Sequence, residues 1–204
     1  MKLLHCFTLG SLNTLFSEVM VGNYMTCARK QRSMSNMSFR LLSVYLKFRE
    51  RFRKPEEFLR KIGLKEEHKV LDYGCGAGSY SIPAAKIVGT SGKIYALDIH
   101  PLAIEQVQKR ARKEEITNLE TIQSGLETGL EDNNLDYVLL LDVFSWVKRK
   151  EDLLRELHRI LKPSGKLILM VDHMPPEKCR ELVDEFGLFI LQNEEENLFE
   201  YQKA

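Results

Sequence analysis

The chain has 204 residues, 44% hydrophobic and 29% charged, with 30 Lys+Arg against 29 Asp+Glu. That length fits one domain with some additional chain, the apolar fraction is enough for a packed core, and no stretch reaches the roughly 18–20 apolar residues of a membrane span. Cys6, Cys27, Cys75 and Cys179 show no C-x-x-C spacing, so neither a zinc site nor a disulfide scaffold is suggested and a reducing, cytoplasmic compartment is expected. Charge is uneven: residues 1–68 carry +7 and residues 69–204 carry −6, so most of the protein would repel phosphates and no nucleic-acid partner is expected.

Residues 1–38 read as a poorly ordered leader. Their apolar residues are broken by His5, Thr8, Ser11, Asn13 and Glu18, unlike the clean run of a signal peptide. Met34 and Met37 stand directly before the first convincing helix, and translation is expected to begin at one of them. Residues 39–68 read as an N-terminal helical lid. Leu41, Leu42, Tyr45, Leu46, Phe48 and Phe52 recur at helical spacing over Phe39–Phe52, with a basic face of Arg and Lys. Pro55 opens a second short helix, Glu56–Ile62, which Gly63 ends.

From Lys69 to the end, strands alternate with helices. Strands are expected at Lys69–Tyr73, Lys93–Ile99, Leu119–Gln123, Leu135–Phe144 and Lys166–Val171, and helices at Ser79–Val88, Pro101–Glu114, Glu151–Leu161 and Glu177–Phe186. Leu135–Phe144 is the most apolar strand, as at a sheet centre covered on both faces. Such alternation implies βαβ units and a parallel sheet. The last two strands, Leu188–Gln192 and Leu198–Gln202, are joined only by Asn193–Asn197, too short for a crossover, so they must pair as a hairpin. The expected fold is α/β: a doubly wound, mostly parallel seven-stranded sheet with a C-terminal antiparallel hairpin, over residues 69–204.

The chemistry concentrates in Val70-Leu71-Asp72-Tyr73-Gly74-Cys75-Gly76-Ala77-Gly78, where a strand enters a Gly-rich turn and then a helix. Glycines let main chain approach a ligand, and the helix that follows presents unpaired N–H groups. Asp98 ends the next strand, where a carboxylate in a doubly wound sheet accepts the two hydroxyls of a ribose. A dinucleotide site wants G-x-G-x-x-G, but the third Gly position here is Ser79. Asp72 brings negative charge to the turn, which disfavours a pyrophosphate and favours a cationic ligand end.

These segments resemble the class I S-adenosylmethionine-dependent methyltransferases, with a Rossmann-like fold. VLDYGCGAG is similar to the family's first motif, IYALDI to its second and LDVF to its fourth, while RELHRILKPSGKLIL resembles the branch of quinone and small-molecule methyltransferases. The resemblance implies S-adenosyl-L-methionine as cofactor. It places the methionine end on Asp72 and the Tyr73, Gly74, Cys75, Gly76 and Gly78 turn, and the ribose on Asp98. Ile99 would then pack on adenine, and Asp142 would border cofactor and acceptor. The third-motif segment Gln123-Ser124-Gly125-Leu126-Glu127 departs from the pattern, because Gly125 stands where the family often has an Asp on the adenine amino group. Adenine would rely there on main chain and on Leu126, at a cost of about 1.5–3 kcal/mol for one lost charged hydrogen bond.

The expected activity is methyl transfer to a small or lipophilic acceptor, mainly by positioning. His173, after the fifth strand, is the first candidate for a general base and Asp142 the second; no metal is called for. Trp146 and Phe144, after the central strand, are candidates for an acceptor wall or for core packing. The short lid leaves a site open to a large partner or completed by a second copy in a homodimer, and residues 39–54 could rest on an anionic membrane. Two other readings stand beside this one: a non-catalytic cofactor-binding partner subunit and an NAD-dependent oxidoreductase.

Overall fold

The computed structural model describes Asn36–Met37, which are helical, and residues 54–204. The expected leader and the helix over Phe39–Phe52 otherwise lie outside the described residues. The chain falls into two units, Met1–Tyr45 and Leu46–Ala204, and everything below concerns the second.

Its elements are α1 (Pro55–Lys61), β1 (Lys69–Tyr73), α2 (Ser81–Val88), β2 (Lys93–Asp98), α3 (Pro101–Lys113) and β3 (Leu119–Gln123), then β4 (Leu135–Leu141), a 3-10 turn (Phe144–Trp146), α4 (Lys150–Ile160), β5 (Leu161–Met170), α5 (Pro176–Asp184), β6 (Phe189–Glu195) and β7 (Leu198–Lys203). The seven strands form one sheet in the order β3-β2-β1-β4-β5-β7-β6. β1 is parallel to β2 and β4, β2 to β3, and β4 to β5, whereas β7 runs antiparallel to both β5 and β6. The mostly parallel sheet with one antiparallel strand is thus the expected one.

Alternation along the strands sorts the core into two layers. Val70, Ile94, Leu139, Leu141 and Ile168 pack with Leu59 of α1 and Ala84, Ala85 and Val88 of α2. Leu71, Val138, Leu140, Leu167 and Leu169 pack with Leu153 and Leu157 of α4 and Cys179 and Val183 of α5. Every residue of β4 except Asp136 is buried, which explains its unbroken apolar run.

Several boundaries shift for local reasons. β4 stops at Leu141, three residues short of the expected end, because Asp142 adopts φ 60° and turns the chain out of the sheet. β5 begins at Leu161 and carries Lys162–Gly165 as an irregularity, with Leu135 opposite Leu161 but Tyr137 opposite Lys166. A Cβ on Gly165 would lie 2.9 Å from the Leu135 carbonyl oxygen, so glycine permits that approach. β6 continues through Glu195, leaving a two-residue turn at Glu196–Asn197 in place of the five-residue one expected. Helix α2 starts at Ser81 rather than Ser79, and α5 ends at Asp184 rather than Phe186.

The order of strands reverses between β1 and β4. In an open α/β sheet, that reversal opens a crevice at the carboxyl ends of the strands.

Candidate active site

Gly74, Cys75 and Gly76 carry the chain from β1 across the carboxyl end of β2. The Gly74 and Cys75 N–H groups both donate to the Leu97 carbonyl, at 2.8 and 3.0 Å, and the Gly78 N–H closes a turn on the Cys75 carbonyl at 2.9 Å. Gly74 has φ 78°, and a Cβ there would meet Val143 Cγ2 at 2.8 Å. The corner after β1 therefore lies against the chain leaving β4, a contact only glycine allows.

Two carboxylates sit under this corner. Asp72 is buried and accepts a hydrogen bond from the Ser81 hydroxyl at the start of α2. Burial, with a smaller push from the Asp98 carboxylate, raises its pKa from 3.8 to about 6. Asp98 accepts from the Gly76 N–H at 2.9 Å on one oxygen and from the His100 N–H at 2.8 Å on the other. Its pKa is also raised, chiefly by burial, with those two N–H groups pulling it back. An ionised carboxylate has about four lone-pair sites, so Asp98 keeps acceptor capacity beyond these bonds. Burial and both carboxylates hold the Cys75 thiol well above its usual range, so Cys75 is an inert filler of the corner.

The adenine-side residues of the family pattern come together at the ends of β2 and β3. The Ser124 N–H donates to the Asp98 carbonyl at 3.2 Å, and the buried Tyr73 donates its hydroxyl to the Gly125 carbonyl at 2.6 Å. A Cβ on Gly125 would stand 3.1 Å from Ile99 Cδ1, so Ile99 and Gly125 form one surface. Leu126 is half-buried and packs against the core, whereas Ile99 is exposed.

Asp142 and His173 belong to the other side of the crevice. The Asp142 N–H donates to the Met170 carbonyl at 2.9 Å, tying the ends of β4 and β5. His173 is exposed and stands with its ring 5.6 Å from that of Trp146. Phe144 is fully buried in the core, so of the two candidate wall residues only Trp146 reaches the edge. His100 caps α3, its Nδ1 accepting from the Leu102 N–H at 3.1 Å, and it is buried rather than solvated.

Sequence reasoning missed Ser81 and the tether from Tyr73 to Gly125. A Ser nine residues beyond Asp72 at a helix start was a usable cue for the first. Nothing local marks the second, which spans 52 residues.

This donor set fits a ligand with a cationic end and a vicinal diol. It offers a buried and a half-buried carboxylate, a glycine-rich turn and an apolar flank at Ile99, as S-adenosylmethionine requires.

Known proteins agree with the geometry. A model of a methyltransferase domain matches residues 64–202. Over 131 residues the chain is 25% identical to a demethylmenaquinone methyltransferase of Geobacillus sp. (strain WCH70), covering 64% of this chain and 56% of that one. It is 30% identical over 132 residues to a ubiquinone/menaquinone biosynthesis C-methyltransferase of Cronobacter sakazakii, covering 63% and 53%. The chain thus spans little more than half the length of these relatives. A solved S-adenosylmethionine-dependent methyltransferase from Aquifex aeolicus superposes with a TM-score of 0.64 and 28% identity, over 73% of this chain and 88% of that one. With its glycine corner, paired carboxylates and terminal hairpin, the chain belongs to the class I S-adenosylmethionine-dependent methyltransferase family.

Proposed function

We propose that this chain transfers a methyl group from S-adenosyl-L-methionine to a small quinone-type acceptor, in the cytoplasm. The observation that carries the reading is the pair of carboxylates, the buried Asp72 and the half-buried Asp98, beneath a glycine-rich corner. The names of the Geobacillus and Cronobacter relatives support the acceptor class.

When bound, S-adenosylmethionine supplies a methyl group already activated by a positively charged sulfur. Asp72 and the main chain of Gly74, Cys75, Gly76 and Gly78 would hold the methionine end. Asp98 would accept the ribose hydroxyls with the capacity that Gly76 and His100 leave it. Ile99 and Leu126 would flank the adenine, with Gly125, pinned by Tyr73, offering main chain only. Asp142 would border the acceptor. Because the leaving group is good, alignment and exclusion of water supply much of the acceleration. Where the acceptor must lose a proton, His173 or Asp142 would take it. Peripheral membrane contact through residues 39–54 and completion of the site by a second copy belong to the same reading, since a quinone partitions into lipid.

Calorimetry with S-adenosylhomocysteine tests the cofactor half. Binding is expected, and Asp98→Ala should weaken it at least about 10-fold, as for a lost hydrogen bond to a charged group. Radiolabelled methyl donor with a reduced, unmethylated naphthoquinone tests the other half and should give a labelled quinone. Binding without label transfer to that acceptor or to any extract component would favour the partner-subunit reading. Absence of binding would reject both.

A further inference from the structure

Two aromatic side chains meet at the carboxyl edge from neighbouring strands. On the β4 side, φ 60° at Asp142 redirects the chain into the 3-10 turn, which sends Phe144 and Trp146 different ways. Phe144 goes to the core with no exposed surface. Lys150 Nζ lies 5.3 Å from its ring centroid and donates to the Val147 carbonyl, so that cation is engaged below the edge. Trp146 returns to the edge, half-buried, and its indole N–H donates to the Asp142 carbonyl at 3.2 Å. On the β5 side, Val171 is buried and Asp172 accepts from the Asn197 side chain of the terminal hairpin. His173 is thereby left to face Trp146, with ring centroids 5.6 Å apart and planes inclined by 55°. The bond from the Asp142 N–H to Met170 holds the two strand ends in register.

We infer that Trp146 and His173 form the acceptor subsite and that it selects a planar aromatic ring; the assignment rests on the methyltransferase reading above. The indole is electron-rich and a quinone ring electron-poor, so offset stacking between them is favoured. Of the charges on these two segments, Lys150 is engaged by Val147 and Phe144, Arg149 by Asp152 and Asp172 by Asn197, while Asp142 borders the crevice and Lys148 is exposed. The surface these two rings offer is aromatic and suited to a planar, electron-poor ring. Its position at the ends of β4 and β5 places the ring across the crevice from the Asp72–Asp98 corner, on the far side of Gly74 and Val143.

Trp146 is the single tryptophan of the chain, so fluorescence excited selectively at the red edge of the indole band reports on this position alone. The probe is 2,3-dimethyl-1,4-naphthoquinone, whose reactive ring carbons are blocked against thiols, added to the full chain saturated with S-adenosylhomocysteine. Quenching should saturate, and decahydro-2-naphthol, similar in size but without π electrons, should not reverse it. In equilibrium dialysis, Trp146→Ala and His173→Ala should each weaken binding of the quinone about 3- to 10-fold, with Trp146→Phe within about 2-fold of wild type. Calorimetric affinity for S-adenosylhomocysteine should stay within about 2-fold in all three variants, which shows that they are folded. Quenching that rises linearly without saturation, or wild-type quinone affinity in both alanine variants, would overturn the subsite. Failure of the wild-type chain to bind S-adenosylhomocysteine would overturn instead the methyltransferase reading beneath it.

Discussion

Asp72 retains 3% of its surface, and the groups that act on its carboxyl are Ser81, which favours the charged form, and Asp98, which opposes it. Its raised pKa has a definite sign. A carboxyl that holds its proton more tightly in the folded state contributes stability in full below the unfolded value near 4, and loses it as pH rises through about 6. The loss amounts to roughly 3 kcal/mol by pH 8. Asp72→Asn keeps an oxygen for the Ser81 hydroxyl and removes the buried charge. It should raise the thermal midpoint at pH 8 relative to wild type and have little effect at pH 4. The same change should weaken S-adenosylhomocysteine at least about 10-fold, because the corner loses half of its negative charge. Thermal melts at the two pH values, with calorimetry at pH 7.5, measure both effects. Equal destabilisation at both pH values would contradict the assignment. Such a residue is retained at a cost to stability, as expected of a site that must meet a cation.

Two residues of α4, Glu156 and Arg159, hold the segment between β3 and β4 from the helix side. Glu156 of α4 accepts from the Thr128 N–H at 3.1 Å and from the Thr128 hydroxyl, and it binds Arg159 through Nε and Nη2, both at 2.8 Å. Arg159 also reaches Asp132. These donors pull the Glu156 pKa down to about 2, so its contribution is present above the unfolded value and lost only as pH falls towards 2. Glu156→Gln keeps the shape and loses the charge; it should cost about 1–3 kcal/mol in urea unfolding at pH 7, and the cost should shrink progressively as pH falls from about 4.5 towards 2. How far such detail is legible in the sequence depends on its range. The strands show as apolar runs because the sheet is covered on both faces, and the glycine corner shows because its backbone has no alternative residue. The end of β4 does not show, since Val143 and Phe144 are as apolar as the strand before them; the αL turn at Asp142 goes with a tertiary bond from its N–H to the Met170 carbonyl that no local pattern marks. For the same reason Phe144 and Trp146, two residues apart, look equivalent until the 3-10 turn separates core from edge. The length of β6 is hidden by Asn193, Glu194 and Glu195, which are polar because they lie at the exposed edge of the sheet.

At the scale of the molecule, the last strand in sequence is internal in space. β7 lies between β5 and β6, with Phe199 opposite Leu169 and Tyr201 opposite Leu167, and both aromatic rings are fully buried. The pairings of β5 therefore close only when Leu198–Lys203 are in place, and without them β5 presents an unpaired apolar edge. Phe199→Ala removes a large side chain from this seam, whose neighbours cannot collapse without disturbing β5 on one side and β6 on the other. A loss of about 3–5 kcal/mol is expected. For a domain of this size, that lowers the thermal midpoint by roughly 6–20 °C. The cofactor corner after β1 lies three strand spacings from β7, about 14 Å across the sheet. Affinity for S-adenosylhomocysteine below the transition should therefore stay within about 2-fold of wild type, and saturating ligand should restore part of the lost midpoint by binding only the folded state. A variant that lost ligand affinity in proportion to its stability would show that β7 supports the corner directly, and that the sheet does not insulate the site from its last strand.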